Sequence, residues 1–168
     1  MIGIKHIFSK TWNTDNIERP EGFRTILFPT RKNYFDFISV VEKVTVNTIS
    51  SKAFTNEQKH SIAVVKADEE GSLSVLGKWL IENGFNSNIV ENRIIAPLKK
   101  VRKIRQIPAH EVFSDEYDKS VYKDQNEIIS EVYWSVNGIR RMLGTHPLVK
   151  NQIEIPDYLD DVDKIAIY

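Results

Sequence analysis

The chain has 168 residues, 41% of them hydrophobic, with 23 Lys and Arg balanced by 23 Asp and Glu and no cysteine. At about 100–200 residues per domain this is one domain, or one domain with an appendage, and a chain of that size buries about 70% of its unfolded surface without a covalent staple. The lack of Cys excludes disulfide frameworks, thiolate metal sites and cysteine nucleophiles, and no apolar run approaches the roughly 20 residues of a membrane helix. The opening MIGIKHIFSKTW has no sustained apolar region with a small-residue cleavage site, so it does not read as a signal peptide, and a cytoplasmic protein is expected.

Residues 1–29 are weakly patterned and read as an arm or short strand, with GFRTILF bracketed by Pro20 and Pro29. Thr30 is an N-cap residue, and the apolar stripe Tyr34, Phe37, Ile38, Val41 and Val44 predicts a first amphipathic helix with an uncertain, β-branched C-terminal end. SIAVV at 61–65 fits a strand or a helical turn. Ser72 is expected to cap a second helix that buries Leu73, Val75, Leu76, Trp79 and Leu80, with Gly84 terminating it. Asn86, Ser87 and Asn88 precede a third helix with the stripe Ile89, Val90, Ile94, Leu98, Val101 and Ile104; Pro97 inside it predicts a kink, and Pro108 ends it. The acidic segment 111–124 reads as a loop, or a loop with a helical turn. A fourth helix follows from about Gln125 to Leu143, burying Ile128, Ile129, Val132, Tyr133, Val136, Ile139 and Leu143, and closed by Gly144 and Pro147. The expected fold is mainly α, a bundle of about four helices over residues 30–147, with short extended segments at the termini and an acidic extension over 148–168.

The neutral total conceals a charge dipole along the chain. Arg93, Lys99, Lys100, Arg102, Lys103 and Arg105 form a run without any acid. Between Glu111 and Glu131 lie seven acids (Glu111, Asp115, Glu116, Asp118, Asp124, Glu127 and Glu131) against Lys119 and Lys123, and the last 18 residues are acidic again. A nucleic-acid contact is therefore not excluded by the net charge. It is confined to one face, which the acidic segments can pair with or shield.

The basic run leads into Arg105-Gln106-Ile107-Pro108-Ala109-His110, at the end of one long helix and before another. This arrangement resembles the R-x4–6-H signature of HEPN domains (higher eukaryotes and prokaryotes nucleotide-binding), and the four-helix layout from about Thr30 to Pro147 resembles theirs. The resemblance implies a helical bundle and, in the catalytic members, a metal-independent endoribonuclease that acts as a dimer with its two motifs facing each other. Other members serve as binding or scaffolding modules. Arg105 and His110 match the catalytic pair and Gln106 the polar position after the arginine, where Asn, Asp or His is commoner. No cofactor is implied.

The residue types suit the chemistry on their own terms. Metal-free RNA cleavage requires the ribose 2′-OH to lose a proton while negative charge builds on phosphorus. Histidine exchanges a proton near neutral pH, and the permanently charged planar guanidinium of arginine matches phosphate oxygens. Lys99, Lys100, Arg102 and Lys103 are candidate contacts to the RNA backbone, and Arg140 and Arg141 face the same site if the helices run antiparallel. The structural alternative is that Arg105 bonds helix C-terminal carbonyls or a neighbouring carboxylate, that His110 caps the next turn and that the basic run is a solvated face.

His6, His60 and His146 have no metal-ligand spacing, so no metal site is expected, and DYLDDVD at 157–163 lacks the pattern of a calcium loop. Trp79, Tyr133 and Trp134 fit packing better than base stacking, with Trp134 beside the main stripe of its helix, where it widens the apolar face for a partner subunit. The leading expectation is a homodimeric HEPN-like endoribonuclease. The alternative is a non-catalytic helical module, binding protein (a cognate inhibitor among them) or nucleic acid within a larger prokaryotic system, with Arg105 held in intramolecular bonds.

Overall fold

The computed structural model describes residues 28–50, 71–107 and 116–145. Within them the chain forms four helices: α1 (Arg31–Val44), α2 (Ser72–Glu82), α3 (87–106) and α4 (Ser120–Gly144), with a 3₁₀ turn at Val46–Thr48 after α1. There is no strand among the described residues; an isolated bridge joins Thr30 and Tyr117. None of these helices is long and apolar enough to cross a membrane. The GFRTILF segment up to residue 27, SIAVV, His6, His60, His110, His146 and the acidic extension lie outside the described residues.

The ends of the helices follow capping chemistry. Thr30 caps α1 as expected, its Oγ1 accepting the Asn33 N–H at 3.2 Å. Asn86 caps α3 the same way, Oδ1 accepting the Ile89 N–H at 3.2 Å. The expected cap at Ser72 is corrected: the N-cap of α2 is Gly71, which makes no side-chain bond. A Cβ at Gly71 would lie 3.1 Å from Arg102 Nη1, a close approach from α3. Gly84 ends α2 at φ +89°, in the left-handed region, and the Phe85 N–H returns to the Leu80 carbonyl. The loop expected over 111–124 is also shorter than the composition suggested. Asp118 Oδ1 accepts the Ser120 N–H at 2.9 Å, and this local bond starts α4 at Ser120 rather than Gln125.

Pro97 does not act by a simple kink. Helix α3 runs as an α-turn at Ser87–Ile89, a π-helical stretch at Val90–Ile95 and a regular α-helix at Ala96–Gln106, with the Ala96 N–H bonded five residues back to Glu91. The widened turn places Pro97 in the first turn of the regular segment, where its missing N–H costs little. The Ile94 carbonyl instead accepts a buried 2.6 Å hydrogen bond from Ser135 Oγ on α4. Gly138, one turn further along α4, lies so close to the Ile94 side chain that a Cβ would collide with it.

The seam of α4 is Val121, Gln125, Ile128, Val132, Ser135, Ile139 and Leu143, a spacing of three and four residues. Two expected core members fall elsewhere: Val136 is exposed on α4, and Ile89 is exposed at the start of α3. Val136 is displaced because the small polar Ser135 occupies the seam, where it serves the π-turn. The core itself draws on every helix, with Ile38, Leu73, Leu76, Leu80, Val90, Leu98, Val101, Val121 and Ile128 almost fully enclosed. Val44 is only half-buried, because α1 stops there and Val46 takes the core position from the 3₁₀ turn. α1 packs on the C-terminal half of α3, and both α2 and α4 pack on its π-helical half.

Ser135→Ala is expected to cost about 0.5–1.5 kcal/mol, because it removes the buried hydrogen bond to the Ile94 carbonyl. Gly138→Val is expected to cost more than Gly138→Ala, in which about 1 kcal/mol of helix propensity offsets part of the collision. Urea denaturation measures both; a Ser135→Ala variant within about 0.5 kcal/mol of wild type contradicts the role given to the π-turn.

Candidate functional site

A helix divides a run of charges among its faces, and α3 does this with its six bases. Lys100 turns towards α4. Its Nζ donates to Glu127 Oε1 at 2.8 Å and to Glu131 Oε1 at 3.0 Å. Arg102 and Arg105, three residues apart and so on one face, turn towards α1. There Glu42 receives both, Oε1 lying 3.8 Å from Arg102 Nε and Oε2 3.3 Å from Arg105 Nε. Lys99 and Lys103, one turn apart, remain exposed together with Gln106.

Glu42 is the unusual member. Its side chain is 7% exposed, on a helix face otherwise made of Phe35, Ile38 and Val41. A carboxylate at that depth needs a counter-charge, and the two guanidiniums supply it. They differ in setting. The Arg102 side chain is 35% exposed and its Nη1 lies over Gly71, whereas Arg105 is 55% exposed in the last turn of α3. Arg102 is therefore the more confined of the two, and Arg105 is held at its Nε while its outer face meets solvent. Sequence reasoning named a neighbouring carboxylate as a structural alternative for Arg105 without identifying Glu42. The available signal was an acid at position 42 directly after Val41, inside the apolar stripe of α1.

Two of the acids flagged by composition pair at the other end of α1. Asp118 and Asp124 meet Arg31 at 3.0 and 3.7 Å, closing the N-terminus of α1 against the start of α4. The same junction holds the Asp118 N–H bonded to the Pro29 carbonyl at 2.8 Å and an edge-to-face contact of Phe28 with Tyr117. Among the described residues, acids of the 111–131 segment pair with Arg31 and Lys100, and Glu42 pairs with Arg102 and Arg105.

Of the residues expected to act together, Arg105 and Gln106 end α3 side by side and exposed, and His110 lies outside the described residues. Arg140 grips Asn137 Oδ1 of its own helix through Nε at 3.1 Å and Nη2 at 2.8 Å, and Arg141 is exposed in the last turn of α4. Trp134 is 46% exposed on α4, in keeping with its place off the main stripe. It borders a groove of about 620 Å³ between α3 and α4, walled by Arg93, Ala96, Pro97, Lys100 and Glu131. Trp79, by contrast, is core.

The ion pairs leave titration signatures. Hydrogen bonds and charge from Lys100 hold Glu127 below the usual carboxylate range. Burial lowers Lys100, but the bonds to Glu127 and Glu131 outweigh it and its net shift is upward. Burial, together with the charge of Asp124, pushes the Tyr34 hydroxyl up to about 12, against the opposing effect of Lys100 and Arg31. Comparison with protein-family models, curated proteins and solved structures gives no match for the chain.

A depressed Glu127 contributes stability that is present above its ordinary value near 4.5 and lost as pH falls through its folded value. A raised Lys100 contributes stability that is complete below its ordinary value near 10.5 and lost at higher pH. Lys100→Met is therefore expected to lower the thermal midpoint near pH 7, and the gap from wild type is expected to narrow as pH falls below the ordinary carboxylate range and the depressed Glu127 protonates. A pH-independent difference contradicts this origin. For Tyr34, an absorbance titration is expected to show one tyrosine ionising near 12 that Tyr34→Phe removes.

Proposed function

We propose that this chain is a HEPN-like, metal-independent endoribonuclease that works as a homodimer. The observation that carries the reading is Arg105: a solvent-facing guanidinium at the end of a helix, followed by exposed Gln106, with Lys99 and Lys103 exposed on the preceding turns. In this reading His110 accepts the proton of the ribose 2′-OH. The 2′-oxygen then forms a bond to phosphorus, the bond from phosphorus to the 5′-oxygen breaks, and the departing 5′-oxygen takes up a proton. Arg105 donates to the phosphate oxygens as charge gathers on them, and Gln106 positions the group. Lys99 and Lys103, both exposed, hold the strand backbone. Lys100 and Arg102, each already paired, contribute less than expected from sequence. The dependence on a 2′-OH makes RNA, not DNA, the substrate.

A specific observation also favours the second reading, a non-catalytic helical interaction module. The ion pair of Arg105 with Glu42 is the kind of intramolecular engagement that such a module would have, and the exposed Trp134 gives it an apolar contact for a partner. Activity separates the two. Incubated with unstructured RNA in EDTA, wild type is expected to cleave about 10²–10³ times faster than Arg105→Ala or His110→Ala. Equal background cleavage by all three contradicts the enzyme reading and leaves the interaction module. RNA affinity is expected to fall with salt, and Lys99→Ala with Lys103→Ala to shallow that dependence by about one unit of slope per lysine.

A further inference from the structure

We infer that Glu42 is a positioning residue for Arg105, an inference that rests on the ribonuclease reading and extends its site from α3 to α1. Three features of the pair point this way. The carboxylate is buried among apolar neighbours of α1, so it has little freedom and its oxygens are fixed in space. Its two oxygens are divided between two guanidiniums, Oε1 towards Arg102 and Oε2 towards Arg105. Arg102 alone could balance one negative charge, and its Nη1 is confined over Gly71. Arg105 is nonetheless the closer partner, at 3.3 Å against 3.8 Å, and it is the more exposed of the two to solvent.

The contact engages Arg105 through Nε, the inner nitrogen of the fork. An arginine held there keeps the donors of its outer nitrogens for a planar group such as a phosphate, and its orientation is set before the substrate arrives. A free arginine in the last turn of a helix would sample many rotamers. Glu42 does not touch the substrate; it acts through Arg105, and its loss lowers turnover more than substrate affinity, because the guanidinium matters most when charge develops on phosphorus.

The experiment compares wild type, Glu42→Gln, Glu42→Asp and Arg105→Ala on a fluorescein-labelled, unstructured RNA in EDTA, well below each thermal midpoint. Glu42→Gln keeps the shape but puts an amide against the guanidiniums; Glu42→Asp keeps the charge and shortens the reach. The expected result is a kcat for Glu42→Gln reduced by about 10–10²-fold with KM within about threefold, and Glu42→Asp partly restored between them. A folded Glu42→Gln with wild-type kcat, while Arg105→Ala is inactive, overturns the positioning role and leaves the ribonuclease reading standing. Should Glu42→Gln not fold, Glu42→Asp decides: wild-type kcat overturns the role, and reduced kcat at unchanged KM supports it. Wild type no faster than Arg105→Ala overturns both.

Discussion

A carboxylate buried on an otherwise apolar helix face determines how α1 and α3 can meet. Glu42 removed from water without a partner would cost several kcal/mol, far more than a surface ion pair of about 0–1 kcal/mol returns. The bundle must therefore bring a cation to it, and the only faces of α3 that can do so carry Arg102 and Arg105. Their pairing fixes the rotation of α3 about its axis. Once that is set, Lys100 points at Glu127 and Glu131 on α4, and Lys99, Lys103 and Gln106 are left outside. The half-exposed Arg105 adds less to stability than its geometry suggests, since solvent screens it. Its placement at the surface follows from the constraint all the same.

The other end of α3 is governed by shape instead of charge. Pro97 cannot donate to the helix ladder, and the π-turn before it accommodates that by changing the hydrogen-bond register. Ser135 and Gly138 on α4 are the complement: a hydroxyl for a buried carbonyl and an empty volume for the Ile94 side chain. One helix is thus fastened to α1 by charge at its C-terminal end and to α4 by packing and a hydrogen bond near its start. The two fastenings hold the residues around Arg105 at the end of a rigid element, which a site for phosphate chemistry requires.

Much of this was legible in the residues. The four helices, the cap at Thr30, the left-handed Gly84 and nearly the whole stripe of α2 follow from local periodicity and capping, which depend on neighbours in sequence. Arg105 and Gln106 emerge from the motif, and the structure leaves both exposed at a helix end. What escaped was set by tertiary contact. Ser135 and Gly138 look like poor core residues until Ile94 is opposite them, and so Val136 was preferred. The cap of α2 falls at Gly71, one residue before Ser72, with Arg102 of another helix close to it. Asp118 started α4 earlier than its acidic surroundings suggested. The charge dipole was visible, but the allocation of partners was not: the acids near in sequence went to Lys100 and Arg31, and a single acid from α1 took the two arginines.

The chemical proposal makes a demand that binding or folding data do not. If the 2′-oxygen is the nucleophile, with Arg105 stabilising the phosphate and His110 taking the proton, the upstream fragment must retain a 2′,3′-cyclic phosphate and the downstream one a free 5′-hydroxyl. Mass spectrometry of the ends produced by wild-type protein in EDTA, and absent with Arg105→Ala, measures this directly. The account expects cyclic phosphate and 5′-hydroxyl ends on RNA and intact strands when the 2′-oxygens are methylated. Fragments ending in a 3′-hydroxyl and a 5′-phosphate, or cleavage of the methylated strand, would contradict it.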